Sequence, residues 1–435
     1  MHEAESPEHL SEPKPPQPAE ESPYAVLRNA DFVRYLIGRF VASLGQQMLV
    51  VAIDWELYDR TGSALPLAFV GLSQMVPMIL CTLPAGHFAD TYSRKKIILI
   101  TTLALTFASI GLTLCSALRW PVAWIYFCLV IIGAARTFLW PASAAFLPGL
   151  VPRRQFARAV TINSGTFQIS SVVGPAACGF VILLAHHTAW AVYALNALAS
   201  FICFLLVLQI RYEHKLPERQ PMSVGNLVEG FRFVFDNKII LGTITLDLFA
   251  VLLGGSVTLL PIFAKEIFQA GPSGLGWLRD AMPIGAVACA FWMAHRRPLQ
   301  KAGAAMLWSV AIFGIATILF GISNWFWFAF AMLIVAGAVD QISVVVRQTL
   351  VQILTPDEKR GRVSAVNSLF IGTSNELGGF RSGAVAYLFA TPSFLGNAAA
   401  TGAIISTVTG GIGTILVVMA VAWFWPEIRK YGKLA

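Results

Sequence analysis

Apolar residues run along this chain in long blocks, separated by short clusters of charge, proline and glycine. The blocks fall at approximately 33–58, 66–88, 96–117, 121–146, 158–184, 188–210, 239–267, 274–295, 302–322, 324–350, 362–390 and 400–425. Each is around twenty residues or longer, the length a helix needs to cross roughly 30 Å of hydrocarbon. The pattern predicts an all-α polytopic membrane protein with twelve transmembrane helices. Residues 1–30 break it: they carry Glu3, Glu5, Glu8, Glu12, Glu20 and Glu21 among six prolines, with few large apolar side chains. A disordered tail is expected there. It has neither the basic start nor the apolar core of a signal peptide, so the first span is expected to direct insertion.

Composition agrees. Of 435 residues, 56% are hydrophobic and 12% charged, about half the charged share usual in soluble proteins. That excludes an ordinary soluble enzyme. The lysines and arginines sort by side: 23 of the 31 fall on the side of the termini, among them Arg94, Lys95, Lys96, Arg153, Arg154 and Arg158, against Arg60, Arg119 and Lys265 opposite. Positive residues favour the cytoplasmic side, so both termini are expected in the cytoplasm and the chain in the cell (inner or plasma) membrane. This asymmetry accounts for the net charge of +8 without a nucleic-acid partner. The six cysteines lie inside apolar blocks with no CxxC pair and read as reduced packing residues. The seven histidines sit in the tail or near span ends. No metal or other cofactor is expected.

A repeat organises the chain. Pro152, Arg158, Asn163, Ser164, Ser170 and Gly174 recur as Pro356, Arg362, Asn367, Ser368, Ser374 and Gly378, each displaced by 204 residues, and Gly133–Arg136 falls on Gly337–Asp340. Two six-helix halves are expected, 31–210 and 238–425, joined by a cytoplasmic linker at 211–237 and followed by a tail at 426–435. Parallel duplications of this kind occur in transporters that rock around a midplane site.

Charges inside the spans are the candidate chemistry. Asp54, Asp247, Asp340 and Glu376 lie at membrane depth with Arg39, Arg136, Arg279, Arg347 and Arg381. At about 3 kcal/mol per charge at a helix centre, four unpaired acids would cost on the order of 12 kcal/mol. They must be paired, protonated or facing water. Arg136 and Asp340 occupy equivalent repeat positions with opposite charge, so a pair across the pseudo-two-fold axis is one reading. Asp247 and Glu376, with Asp54 after them, are candidate proton carriers; permanent ion pairs are the alternative, and Asp54 can simply face external water. Gln46, Gln47, Trp140, Gln168 and Asn375 join Arg136, Arg279 and Asp340 as candidate substrate contacts. Packing between helices is the competing role for the amides.

Two motifs carry a resemblance. Gly86-x-x-x-Asp90 followed by Arg94-Lys95, between the second and third spans, resembles the signature loop of the major facilitator superfamily, although Thr91 and Ser93 stand where that pattern has a base and a glycine. Ser170-x-x-x-Gly174-Pro175-x-x-Cys178-Gly179 is similar to the fifth-helix signature of its antiporters. The stretches 244–268, 274–286 and 343–383 resemble the subgroup that includes bacterial enterobactin exporters and DHA3-type drug efflux proteins. The resemblance implies a gating role for Gly86, Asp90, Arg94, Gly174 and Pro175, with the loop latching the two halves in the outward-open state. It raises the weight on Asp247, Arg279, Asp340, Arg347 and Glu376.

The expected function is a secondary exporter, working as a monomer in the bilayer, that moves a siderophore or drug-like molecule outward in exchange for protons. No P-loop is present to supply nucleotide energy. An uptake-type facilitator is the alternative. A membrane enzyme or a channel ranks last, since Asp357–Arg360 reads as a helix start rather than a catalytic cluster.

Overall fold

The computed structural model describes residues 25–211, 224–296, 301–356, 359–390 and 397–432. The acidic tail at 1–24, residues 212–223 of the expected linker, and Asp357 and Glu358 lie outside the described residues. Within them the chain is helical, with no strand.

Six long helices come first: α1 Ala30–Thr61, α2 Leu65–Thr91, α3 Arg94–Ala117, α4 Val122–Phe146, α5 Phe156–Leu184 and α6 Trp190–Leu208. The linker helix α7 Val224–Asp236 leads into α8 Lys238–Gly254 and a single turn, α9 Leu260–Ile262. The long helices α10 Gly271–Ala294, α11 Ala302–Ile322, α12 Phe326–Leu354, α13 Arg360–Leu388 and α14 Ala398–Phe424 follow, then the short α15 Pro426–Lys430. Ends are set by familiar chemistry. The Asn29, Asn237 and Asn397 side chains accept from the first free amides of α1, α8 and α14, and Gly62 closes α1 in the left-handed conformation at φ 62°.

Among the described residues ten helical segments are long and apolar enough to cross a membrane. The other two long helices, α10 and α13, carry Arg279 and Asp280, and Glu376 and Arg381, along their lengths, and both are enclosed by neighbours in the bundle.

Packing repeats between the two sets. In the first, α1 lies on α5 and α6, α2 on α4, and α3 on α4 and α6. In the second, α8 lies on α13 and α14, α10 on α12, and α11 on α12 and α14. Across the middle, α5 meets α10 and α2 meets α13, again as counterparts. The buried apolar residues are arranged unevenly along the bundle. At the end away from the termini one core joins both sets, running from Leu49, Ile53 and Leu57 to Phe263, Leu278 and Phe320. At the terminal end the cores separate, one built from α1, α3, α4, α5 and α6 around Phe32 and Phe146, others from α7 and the second set. The two sets are therefore sealed at the far face and parted at the terminal face.

The block at 239–267 is not one helix. It breaks after Gly254-Gly255, passes through a 3-10 turn at Val257–Leu259, and ends in a π-turn at Phe263–Ile267. Two adjacent glycines lower helix propensity and Pro261 lacks an amide donor. The break frees backbone carbonyls at membrane depth, where each must find a donor. Arg381 on α13 donates to the Leu253 carbonyl at 2.8 Å, Ser382 donates to that of Gly255, and Arg279 donates to that of Val257 at 3.4 Å. Arg381 thus has a backbone role that explains a cation inside a span.

Candidate functional site

The far face is closed by polar contacts as well as by the shared core. Arg279 on α10 donates to the Asp54 carboxylate on α1 at 2.9 Å, and Asp54 is 4% exposed. One turn further out, the Tyr58 hydroxyl donates to Glu266 at 2.9 Å, and the Asn397 amide donates to the other oxygen of Glu266 at 2.6 Å. Lys265 pairs with Asp59 at 2.5 Å and sits 5.8 Å from the ring centroids of Trp55 and Tyr58. These contacts tie α1 to α10 and to the turn at Phe263–Ile267, and tie that turn to the start of α14. Asp54 and Arg279, the candidate proton and substrate residues, meet in this seal, while Tyr58, Asp59, Lys265, Glu266 and Asn397 were not anticipated from sequence. The one signal available was that Asp59 and Lys265 lie at span ends on the same expected side.

The fifth-helix motif lies against this seal. Gly174 faces α1, where an added Cβ would come 2.5 Å from Cβ of Gln47. Pro175 and Gly179 face α10: a Cβ on Gly276 would meet the Pro175 carbonyl oxygen at 2.6 Å, and one on Gly179 would meet that of Pro272 at 2.6 Å. Small residues let the backbones of α5 and α10 touch.

On the terminal face, Gly86 and Asp90 lie in the last turns of α2, and the Asp90 side chain lies outside the described residues. The bases after them stay within the first set. Arg94 donates to the Ala145 carbonyl at the end of α4 at 2.8 Å, and Lys95 to those of Leu208 and Ile210 at 2.9 and 2.7 Å, at the end of α6. Cations there meet the negative ends of two helix dipoles and carbonyls that have no helical partner. The latch was expected for the outward-open state; here the two sets are apart at this face, and Arg94 stays within the first set.

Between seal and opening lies the candidate site. Arg136 on α4 is exposed although it is far from either helix end, and its guanidinium donates to Gln74 of α2 at 3.3 Å. Trp140, one turn along the same face, is 69% exposed. Opposite them on α13 stands Glu376, within electrostatic range of Arg136. Glu376 is seated against Gly71 of α2: a Cβ there would come 2.9 Å from the carboxylate. Among the described residues Glu376 has no ion pair within contact distance. Asn375 is exposed beside it and donates to the Ile371 carbonyl at 2.9 Å. Gln46, Gln47 and Gln168 are half-buried in the first set.

The acids divide accordingly. Asp247 forms a buried ion pair with Arg347 of α12, and Asp54 pairs with Arg279. Asp340 is half-buried on α12 and is not paired with Arg136, so the pair expected across the pseudo-two-fold axis is not formed. The reason is geometric. Gly337 brings α12 so close to α10 that a Cβ there would sit 2.1 Å from the Met282 carbonyl oxygen, which ties the Asp340 helix to α10, while Arg136 turns toward α2 and α13. Gly71 and Gln74, which shape this site, were not anticipated, although Gln74 is a polar residue within an otherwise apolar stretch of α2. No group of three or more His, Cys, Asp or Glu side chains suited to a metal occurs among the described residues.

Comparison with known proteins places this geometry. A family model described as transmembrane secretion effector matches residues 21–420. The enterobactin exporter EntS of Escherichia coli O1:K1 is 26% identical over 406 residues, 92% of this chain and 93% of that protein, and EntS of Shigella boydii serotype 4 matches equally. Among solved structures, a bacterial homologue of the human lysosomal transporter Spinster, inward-facing and unoccupied, superposes with a TM-score of 0.72 at 14% identity, covering 94% of this chain and 99% of that one. The nucleoside transporter NupG gives 0.70 at 13% identity, covering 92% and 99%. At these identities the structures establish the fold alone, that of the major facilitator type.

Proposed function

The chain belongs to the transmembrane secretion effector family of the major facilitator superfamily, and on that premise we propose that this transporter exports a small organic molecule by proton antiport. The observation that carries the reading is Glu376: a carboxyl group in mid-span, facing Arg136 across the interface of the two sets, with no ion pair among the described residues. Deprotonated Glu376 would accept hydrogen bonds from hydroxyl groups of the cargo while Arg136 holds an acidic group, and protonation of Glu376 would withdraw that acceptor and release the cargo. One site then serves proton and cargo in turn, which is what exchange requires.

Asp247 and Asp54 fit this scheme less well than Glu376. Each faces an arginine, and that pairing offsets most of the cost of a charge in the membrane. In this scheme Asp54 and Arg279 belong to the outer gate. With the basic terminal face in the cytoplasm, as the charge asymmetry favours, the conformation described is open inward and closed outward. The signature loop would engage the second half only when the terminal face closes.

For the cargo, Arg136 with Trp140 one turn away suits a molecule carrying aromatic and acidic groups, the chemistry of a catechol siderophore. The similarity to enterobactin exporters supports the same class. Cationic drugs are the second reading, for which Asp340 and Glu376, each without an ion pair among the described residues, are the candidate acids.

The test is efflux in everted vesicles under an imposed pH gradient, with a panel of iron-free and ferric catechol siderophores and cationic dyes. Gradient-driven movement of the catechols that disappears in Glu376→Gln supports the proposal. Movement of a panel member that persists unchanged in Glu376→Gln, or movement independent of any gradient, refutes it.

A further inference from the structure

Away from the central site, a cavity of about 430 Å³ opens on the outer surface of the first set, between α3 and α4 and beneath the turn 118–121 that joins them. Its lining is apolar, aromatic or cysteine, with Phe107, Gly111, Trp120, Trp124, Phe127 and Cys128 prominent. Phe107, Trp124 and Phe127 are 63, 50 and 56% exposed, and in a spanning segment outward apolar exposure means contact with acyl chains. Gly111 makes the floor, where a Cβ would come 2.9 Å from the Cys128 sulfur. The helices touch at that point. Trp120 and Trp124 pack at the mouth with ring centroids 6.1 Å apart, a pairing typical of headgroup depth.

The rim is built as well as the walls. Arg119 adopts the left-handed conformation at φ 51°, which is costly for a residue with a Cβ. The turn is held there because Trp120 donates to the Cys115 carbonyl at 2.9 Å while its own carbonyl accepts from Arg60. Arg60 is neutralised by Glu56 at 3.1 Å. Arg119 is exposed, and among the described residues it has no ion pair. The turn thus carries a cation beside the mouth of an apolar groove at the edge of the membrane.

We propose that this groove is a binding site for one anionic phospholipid, its headgroup at Arg119 and one acyl chain lying over Gly111. The charge of Arg119 selects the headgroup, and the absence of a side chain at Gly111 gives the chain its depth. The site is separate from the transport cleft and does not depend on the cargo.

Brominated acyl chains quench tryptophan on contact and provide the probe. The full chain is reconstituted in phosphatidylethanolamine vesicles containing a minor fraction of phosphatidylglycerol, with bromine carried by one lipid or the other at equal mole fraction. Subtracting the signal of a Trp120→Phe, Trp124→Phe variant isolates the two tryptophans at the mouth. Brominated phosphatidylglycerol should be enriched there roughly fivefold over brominated phosphatidylethanolamine, the preference one cation gives near an anionic headgroup. Arg119→Gln should bring the ratio to one while quenching persists. Ala104→Phe, which fills the groove from α3 without touching Gly111, should lower quenching by both lipids. Equal quenching by the two lipids in the unaltered protein overturns the proposal, as does a preference that survives Arg119→Gln, or quenching unmoved by Ala104→Phe in a monodisperse variant.

Discussion

Arg279 and Asp54 stand 2.9 Å apart and join α10 to α1 across the seam between the two helix sets, with the acid almost fully buried. Neither charge is stable alone at that depth, so the pair favours the shut far face. Removing one partner leaves an uncompensated buried charge, at a cost of about 3–5 kcal/mol, whereas replacing both by apolar residues removes most of that penalty. Asp54→Leu and Arg279→Leu should each lower the melting temperature in detergent well below that of the double variant. The single variants should also expose far-face cysteine probes to a membrane-impermeant thiol reagent. Additive melting effects would show that the pair does not act as a unit.

Glu376→Gln should abolish gradient-driven transport while leaving cargo exchange at equal pH within about tenfold, because the amide oxygen still accepts from the cargo but cannot take up a proton. Flux driven by a pH gradient and counterflow without one, measured on the same vesicles, separate the two outcomes.

Arg136 donates to Gln74 across 3.3 Å and is exposed to the cleft. A charge-assisted hydrogen bond contributes about 1.5–3 kcal/mol, so Arg136→Ala should raise KM for an acidic cargo by roughly ten- to a hundredfold. Arg136→Lys should recover part of it. A cationic cargo should bind as well or better in Arg136→Ala, and concentration-dependent efflux of both kinds reads this directly.

Close helix contact at Gly337 predicts a stability effect with its own control. A Cβ there would meet the Met282 carbonyl oxygen at 2.1 Å, whereas one at Gly165 meets nothing within 4 Å. Gly337→Val should destabilise by about 1–3 kcal/mol or more through forced separation of α10 and α12. Gly165→Ala should be neutral or slightly stabilising, since alanine favours helix by about 1 kcal/mol. Thermal melts of the two purified variants make the comparison.

The fold class was legible because the bilayer imposes it. Blocks of around twenty apolar residues have few ways to satisfy their backbone in hydrocarbon other than as helices, so 33–58 and 96–117 could be read as spans and appear as α1 and α3. The repeat at Pro152 and Pro356 was visible for a similar reason: counterpart helices keep the small residues that counterpart packing needs, as Gly174 and Gly378 do. The block at 239–267 misled because hydropathy does not register a backbone break whose carbonyls are taken up by Arg381, Ser382 and Arg279 from distant helices.

Sequence alone therefore determined that the chain is a helical membrane protein, with charges in its spans that had to be accounted for. Tertiary structure decided which charge meets which. Asp54 with Arg279, Asp247 with Arg347, and Arg136 turned toward Gln74 and Glu376 are partnerships between residues tens to hundreds of positions apart. Pairing depends on the rotation and depth of each helix, set by glycine contacts such as Gly71 against Glu376 and Gly337 against Met282. Hydropathy averages over those details, and a contact of 3 Å does not.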